Sequence, residues 1–93
     1  MLKHVVMIRL KEGCDTAKCH ALVMDCGRHI PDVRRISAGQ DITRLPGSYD
    51  YCFVLDFNDL EGLRHYDASD YHRLIRDEVR RIRTASHTVD FLE

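Results

Sequence analysis

Two short segments with β-strand periodicity lie near the ends of the chain, at residues 3–10 and 87–92, and each has a histidine near its start. In the first segment, alternation puts His4, Val6, Ile8 and Leu10 on one face and Lys3, Val5, Met7 and Arg9 on the other. Because both faces are largely apolar, a strand here has to be covered on both sides. The pattern therefore predicts a sheet with a packed layer on each face.

Helix and strand patterns alternate between these two segments. A helix capped by Asp15 or Thr16 is predicted to run to about His29, with its apolar residues at helical spacing on one face. Residues 33–40 then have the pattern of a second, more polar strand. Residues 49–57 give the clearest strand in the chain, because aromatic and aliphatic side chains alternate there with small or polar ones.

A broken helical region is predicted after this strand. Asn58 or Asp59 can cap its first part, and Ser69 or Asp70 can cap its second part. The second part has an apolar stripe, with arginines mainly on the opposite side: Arg73, Arg76, Arg80, Arg81 and Arg83. Since acidic residues are interleaved with these arginines, we expect a solvated helix face, the alternative being a phosphate-binding or partner-binding stripe.

The resulting order of elements is β-α-β-β-α-β, over a single domain that spans residues 1–93. Four antiparallel strands with the helices on one face form an α+β sandwich of the ferredoxin-like type. The free face of this sheet would still carry apolar side chains, namely Val5, Met7, Cys52 and Val54. A chain of 93 residues also buries a small core. Both arguments predict a two-fold homodimer that covers the free face.

Composition narrows the function classes. The 14 Lys and Arg residues nearly balance the 15 Asp and Glu residues, which argues against nucleic-acid or membrane-surface binding. The charged start of the chain resembles neither a secretory signal nor a membrane span, so we expect a cytoplasmic protein. The five glycines are isolated and make no phosphate-binding loop, which argues against a nucleotide cofactor.

Cysteine and histidine spacings do not favour a metal. The four cysteines lack paired C-x₂-C spacing, and we expect reduced thiols that serve as small packed side chains. The histidines lack the i, i+4 pairing that brings two ligands onto one helix face. No metal or other cofactor is expected, although a cation at the seam of the dimer stays an open alternative.

Several stretches together resemble the stress-responsive A/B barrel domain family, whose members are dimeric α+β barrels. They are Leu2 to Gly13, the Ile30-Pro31-Asp32-Val33 step, Ala38-Gly39-Gln40-Asp41, Tyr49-Asp50 and Val89-Asp90-Phe91. The resemblance spans essentially the whole chain and implies the same fold and dimer. The family includes a branch of plant-type polyketide cyclases.

The resemblance also implies site residues. Members often carry a His-Pro-x-His motif where the second helical region restarts, and Ser69-Asp70-Tyr71-His72 is similar to it in the second histidine. In the cyclase branch, positions similar to His72, Tyr66 and His4 are catalytic. Residues at the positions of Val6, Ile8 and Phe53 line a pocket between sheet and helices.

An aldol-type cyclisation of a small, mostly apolar keto compound suits these residues. His72 near a helix N-terminus would stay neutral and act as the base, Tyr66 would hold the enolate oxygen, and His4 would orient the substrate. Such chemistry needs no cofactor. Three alternatives stay open: purely structural packing of these residues, ligand binding or stress protection without reaction, and a cofactorless or haem-using oxygenase.

Overall fold

A computed structural model describes residues 1–93 and contains four strands and three helices. In chain order they are β1 (Leu2–Leu10), α1 (Thr16–His29), β2 (Arg35–Gln40), β3 (Tyr51–Phe57), α2 (Leu60–Ala68), α3 (Asp70–Ile82) and β4 (Arg83–Leu92). The strands form one antiparallel sheet in the order β2-β3-β1-β4. This arrangement confirms the predicted ferredoxin-like α+β fold. No helix is both long and apolar enough to cross a membrane.

Each helix begins at one of the predicted capping residues. The Asp15 side chain accepts a hydrogen bond from the amide of Ala17, and Asp59 accepts one from the amide of Gly62. Ser69 does the same for the amide of His72 and separates α2 from α3. These bonds satisfy amides that have no partner within the helix. The cap at Ser69 also fixes the position of His72 in the first turn of α3.

The core lies between the sheet and α1, with side chains of α2 and α3 completing it. The predicted apolar face of β3 is buried and faces the helices, with Tyr51, Phe53, Leu55 and Phe57, and Asp56 on the other face is buried as well. From α1, Cys19, Val23 and Cys26 pack against this face. The side of the sheet that faces the helices is therefore mainly aromatic at β3 and aliphatic at β1.

The last strand begins four residues earlier than its sequence pattern indicates. The prediction placed its start at His87 and left Arg83 on the helix, whereas β4 starts at Arg83. Residues 83–86 have no apolar alternation, so periodicity could not find them; they are held by pairing with β1, where Ser86 lies opposite Ile8. The predicted starts of β2 and β3 were each two residues too early.

The other face of the sheet is not covered within the chain. Val5 of β1 lies between Val54 of β3 and Val89 of β4, which makes an apolar row across three strands. Val89 is 60% exposed, and Met7 and Phe91 on the same face are 42% and 44% exposed. Exposed apolar patches of this kind are typical of interaction surfaces.

Candidate functional site

A cavity of about 260 Å³ lies between the helix-facing side of the sheet and α3. Its lining includes every residue that the sequence predicted for the site: His4, Val6, Ile8, Phe53, Tyr66 and His72. The apolar members come from β1 and β3, with Val23, Ile75 and Val79 opposite them. The structure therefore brings together side chains from three strands and three helices around one small space.

Three polar rings lie side by side in this cavity. The ring of Tyr66 lies between the two histidines, with its centre 4.3 Å from that of His72 and 5.9 Å from that of His4. Phe57 packs against this group, with its ring centre 5.2 Å from that of Tyr66. Such packing restricts the rings to a few orientations, which is what a preorganised site requires.

His72 presents a neutral imidazole to the cavity. Its side chain is 13% exposed, and its Nδ1 lies 3.3 Å from the backbone carbonyl of Asp67. Since a carbonyl can only accept, Nδ1 carries the proton in this contact and Nε2 keeps a free lone pair. Burial lowers the pKa of His72 below its usual value; Arg76 and His4 lower it further, and Asp67 opposes them.

Tyr66 is a buried phenol that keeps its proton. Only 4% of the residue is exposed. Burial raises the pKa of Tyr66 far above its usual value, and the neighbouring Cys26 thiol raises it further. Burial likewise raises the pKa of Cys26 to about 11. Both groups are therefore uncharged near neutral pH, and Tyr66 can donate a hydrogen bond but cannot act as a base.

His4 is held by a carboxylate on the neighbouring strand. Because His4 lies opposite Asp90 in the register of β1 and β4, its Nδ1 comes within 2.5 Å of Asp90 Oδ1. The carboxylate accepts, so Nδ1 donates and the tautomer of the ring is fixed. Asp90 was not among the predicted site residues, since the pairing becomes visible only when the register is known.

Removing the Asp90 carboxylate should release the tautomer of His4. In Asp90→Leu, Nδ1 loses its acceptor, and ¹H–¹⁵N correlation spectra of the ring should show a mixture of the two neutral tautomers. The free energy of unfolding should fall by less than about 1 kcal/mol, because this carboxylate is partly exposed. The control Asp77→Leu alters an exposed carboxylate of α3 and should leave His4 unchanged. A single Nδ1–H tautomer in Asp90→Leu would contradict the role given to Asp90.

The arginines of α3 do not form one solvated face as predicted. Arg73 and Arg81 are exposed and pair with acidic side chains, as expected. Arg80 is likewise exposed and lies 3.9 Å from the carboxylate of Asp77. The prediction is wrong for Arg76 and Arg83, which are half-buried and line the cavity. A signal was available for Arg76, because it follows His72 by four residues and so shares its helix face.

The cysteines and the acidic side chains make no cluster of three groups that could hold a metal ion. All four cysteines are free thiols, and Cys19 and Cys26 are buried in the core. Burial raises the pKa of Cys19 to about 11, so it is a packed thiol rather than a reactive thiolate.

The chain belongs to the stress-responsive A/B barrel domain family, whose model matches residues 2–93. The protein At3g17210 from Arabidopsis thaliana is 20% identical, with a TM-score of 0.86 over 100% of this chain and 95% of that one. A dimeric ferredoxin-like protein of unknown function from Thermobifida fusca is 19% identical, with a TM-score of 0.82 over 99% and 90%. Hydroxynitrile lyase from Passiflora edulis is 12% identical, with a TM-score of 0.82 over 97% and 90%. No curated protein sequence matches significantly.

Proposed function

We propose that this protein binds a small keto compound in the cavity and moves a proton next to the carbonyl without a cofactor, as a cyclase or lyase of the aldol type. The observation that carries the proposal is the convergence of His72, Tyr66 and His4 on one cavity. The hydroxynitrile lyase of the same fold supports it, because carbon–carbon bond chemistry next to an oxygen is then compatible with this architecture. Residues 1–93 would form this site as one domain.

In the proposed reaction, His72 is the base. Its Nε2 takes a proton from the carbon next to a carbonyl, and the electron pair of that C–H bond forms an enolate. The Tyr66 hydroxyl donates a hydrogen bond to the enolate oxygen, and its high pKa keeps the proton on the phenol. When the enolate carbon attacks a second carbonyl, the new alkoxide takes the proton back from the imidazolium. His4, fixed by Asp90, orients the substrate.

Deuterium exchange tests the first step without knowledge of the natural substrate. The probe is ethyl benzoylacetate in D₂O, whose C2 protons are followed by NMR in the presence of the full-length protein. We expect faster exchange than an equal concentration of free imidazole produces, because the cavity holds base and donor together. Exchange no faster than with imidazole would overturn the proposal.

The pH dependence of this exchange should reflect the lowered pKa of His72. Only the neutral ring can accept a proton, so the rate should fall at acid pH with a midpoint below the usual histidine value of 6.5. The same shift makes the folded protein bind fewer protons than the unfolded chain. Stability should therefore decline as pH is lowered from about 6.5 through the folded pKa of His72. A midpoint above 6.5 would contradict this assignment.

A second candidate is ligand binding without reaction. It is favoured by the close packing of Tyr66 against His72, since tilted rings at 4.3 Å also serve as a rigid wall. Isothermal titration of an apolar ketone such as acetophenone separates the two. If the wild type shows no exchange activity, and saturable binding survives replacement of both His4 and His72, the second candidate is favoured.

We also propose that two copies associate through the uncovered sheet face. The apolar row formed by Val54, Val5 and Val89 would supply the centre of the contact. The protein of the same fold from Thermobifida fusca, described as dimeric, supports this arrangement. Because the cavity lies on the opposite face of the sheet, association leaves its lining complete within one protomer.

A further inference from the structure

The lining of the cavity carries an excess of positive charge. Three arginines line it, Arg76 and Arg80 from α3 and Arg83 from the start of β4. The only carboxylate in the lining is that of Asp67. Exposed Arg80 marks the outer edge, whereas the apolar floor is formed by the sheet. The lining therefore combines an apolar floor with three guanidinium groups and a single carboxylate.

Two of these guanidinium groups have no partner in the protein. Arg76 and Arg83 form no ion pair and no side-chain hydrogen bond, although both are half-buried. The Nε of Arg76 is fully buried and has no hydrogen-bond acceptor. By contrast, Arg73 on the same helix reaches Asp70 at 2.6 Å. A buried charged donor without an acceptor is costly, and a ligand oxygen would satisfy it.

We propose that the ligand of this cavity carries a carboxylate, which is held by Arg76 and Arg83. This inference rests on the proposed function and names its substrate class: a small oxo-carboxylic acid rather than a neutral ketone. Guanidinium groups bind carboxylates through paired hydrogen bonds. A cavity of about 260 Å³ accommodates a single ring or short chain with its carboxylate, whereas a coenzyme with several phosphates would exceed it.

The position of Arg76 relative to the base supports this assignment. Arg76 follows His72 by four residues on α3, so the two side chains leave neighbouring points of one helix face. The guanidinium is close enough to lower the pKa of both His72 and Tyr66. A carboxylate on Arg76 would thus hold the rest of a small molecule against the three rings.

Matched probes test the carboxylate site directly. Isothermal titration compares 4-acetylbenzoate with its neutral isostere 4-acetylbenzamide on the full-length protein. We expect the carboxylate to bind roughly tenfold tighter or more, and less so at high salt. In the double variant Arg76→Gln, Arg83→Gln the preference should disappear. The control Arg73→Gln, Arg81→Gln removes the same charge from exposed, paired arginines and should keep the preference.

The outcomes separate this inference from the proposed function. Equal affinity for the two probes, no measurable binding of either, or a preference that survives the loss of Arg76 and Arg83 would overturn the carboxylate site. The same titration of His72→Gln should retain the preference, because His72 is not part of the anion contact. A wild-type protein that prefers the carboxylate probe but shows no exchange activity would contradict the catalytic proposal and leave the carboxylate site standing.

Discussion

Replacing His72 by glutamine is expected to lower the rate of C2 proton exchange in ethyl benzoylacetate by roughly 10²–10⁴-fold. Glutamine is similar in size, and its amide can still donate to the Asp67 carbonyl that Nδ1 of His72 now contacts. It has no lone pair that accepts a proton near neutral pH. The variant therefore removes the base while keeping the packing against Tyr66, which isolates the chemical role of the ring.

The control for this variant is His65→Gln. His65 lies on α2 with a mostly exposed side chain and does not line the cavity. It should exchange the probe at the wild-type rate. Far-ultraviolet circular dichroism of both variants should match the wild type, because neither histidine belongs to the buried core. A wild-type exchange rate in His72→Gln would show that His72 is not the base.

Most of the fold could be predicted because its elements have strong local signals. The alternation in β3 and the caps at Asp15 and Asp59 depend on residues that are close in sequence. The start of β4 at Arg83 could not be found in this way, since pairing with β1 rather than periodicity holds it in the sheet. A local sequence pattern therefore predicts a strand where buried and exposed residues alternate. It does not predict a strand that is held only by backbone hydrogen bonds to its neighbour.

The candidate site was predictable only in part for a related reason. The helical spacing of α3 indicates which face of the helix carries His72, and the alternation in β1 indicates which face of the sheet carries His4. Their meeting across Tyr66 depends on how α2 and α3 lie on the sheet, which no local pattern contains. The pairing of His4 with Asp90 likewise depends on a register between residues 86 positions apart.

Introducing a charge on the uncovered sheet face should abolish the proposed dimer. In Val89→Glu, association would bury a carboxylate in the middle of the apolar row formed with Val5 and Val54. An unpaired buried charge is expected to weaken association by about 2–4 kcal/mol, roughly 30- to 1000-fold in dissociation constant. The protomer should still fold, because Val89 is 60% exposed in the single chain.

Sedimentation equilibrium at micromolar concentration measures this effect. The wild type should sediment as a dimer and Val89→Glu as a monomer, and the melting temperature of the variant should be lower and no longer depend on concentration. The control is Ile42→Glu, a similar change at a loop residue that is 88% exposed and remote from the row. It should remain dimeric. A monomeric wild type would mean that water covers the face of Val5 and Val89, and the argument from the exposed patch would then be wrong.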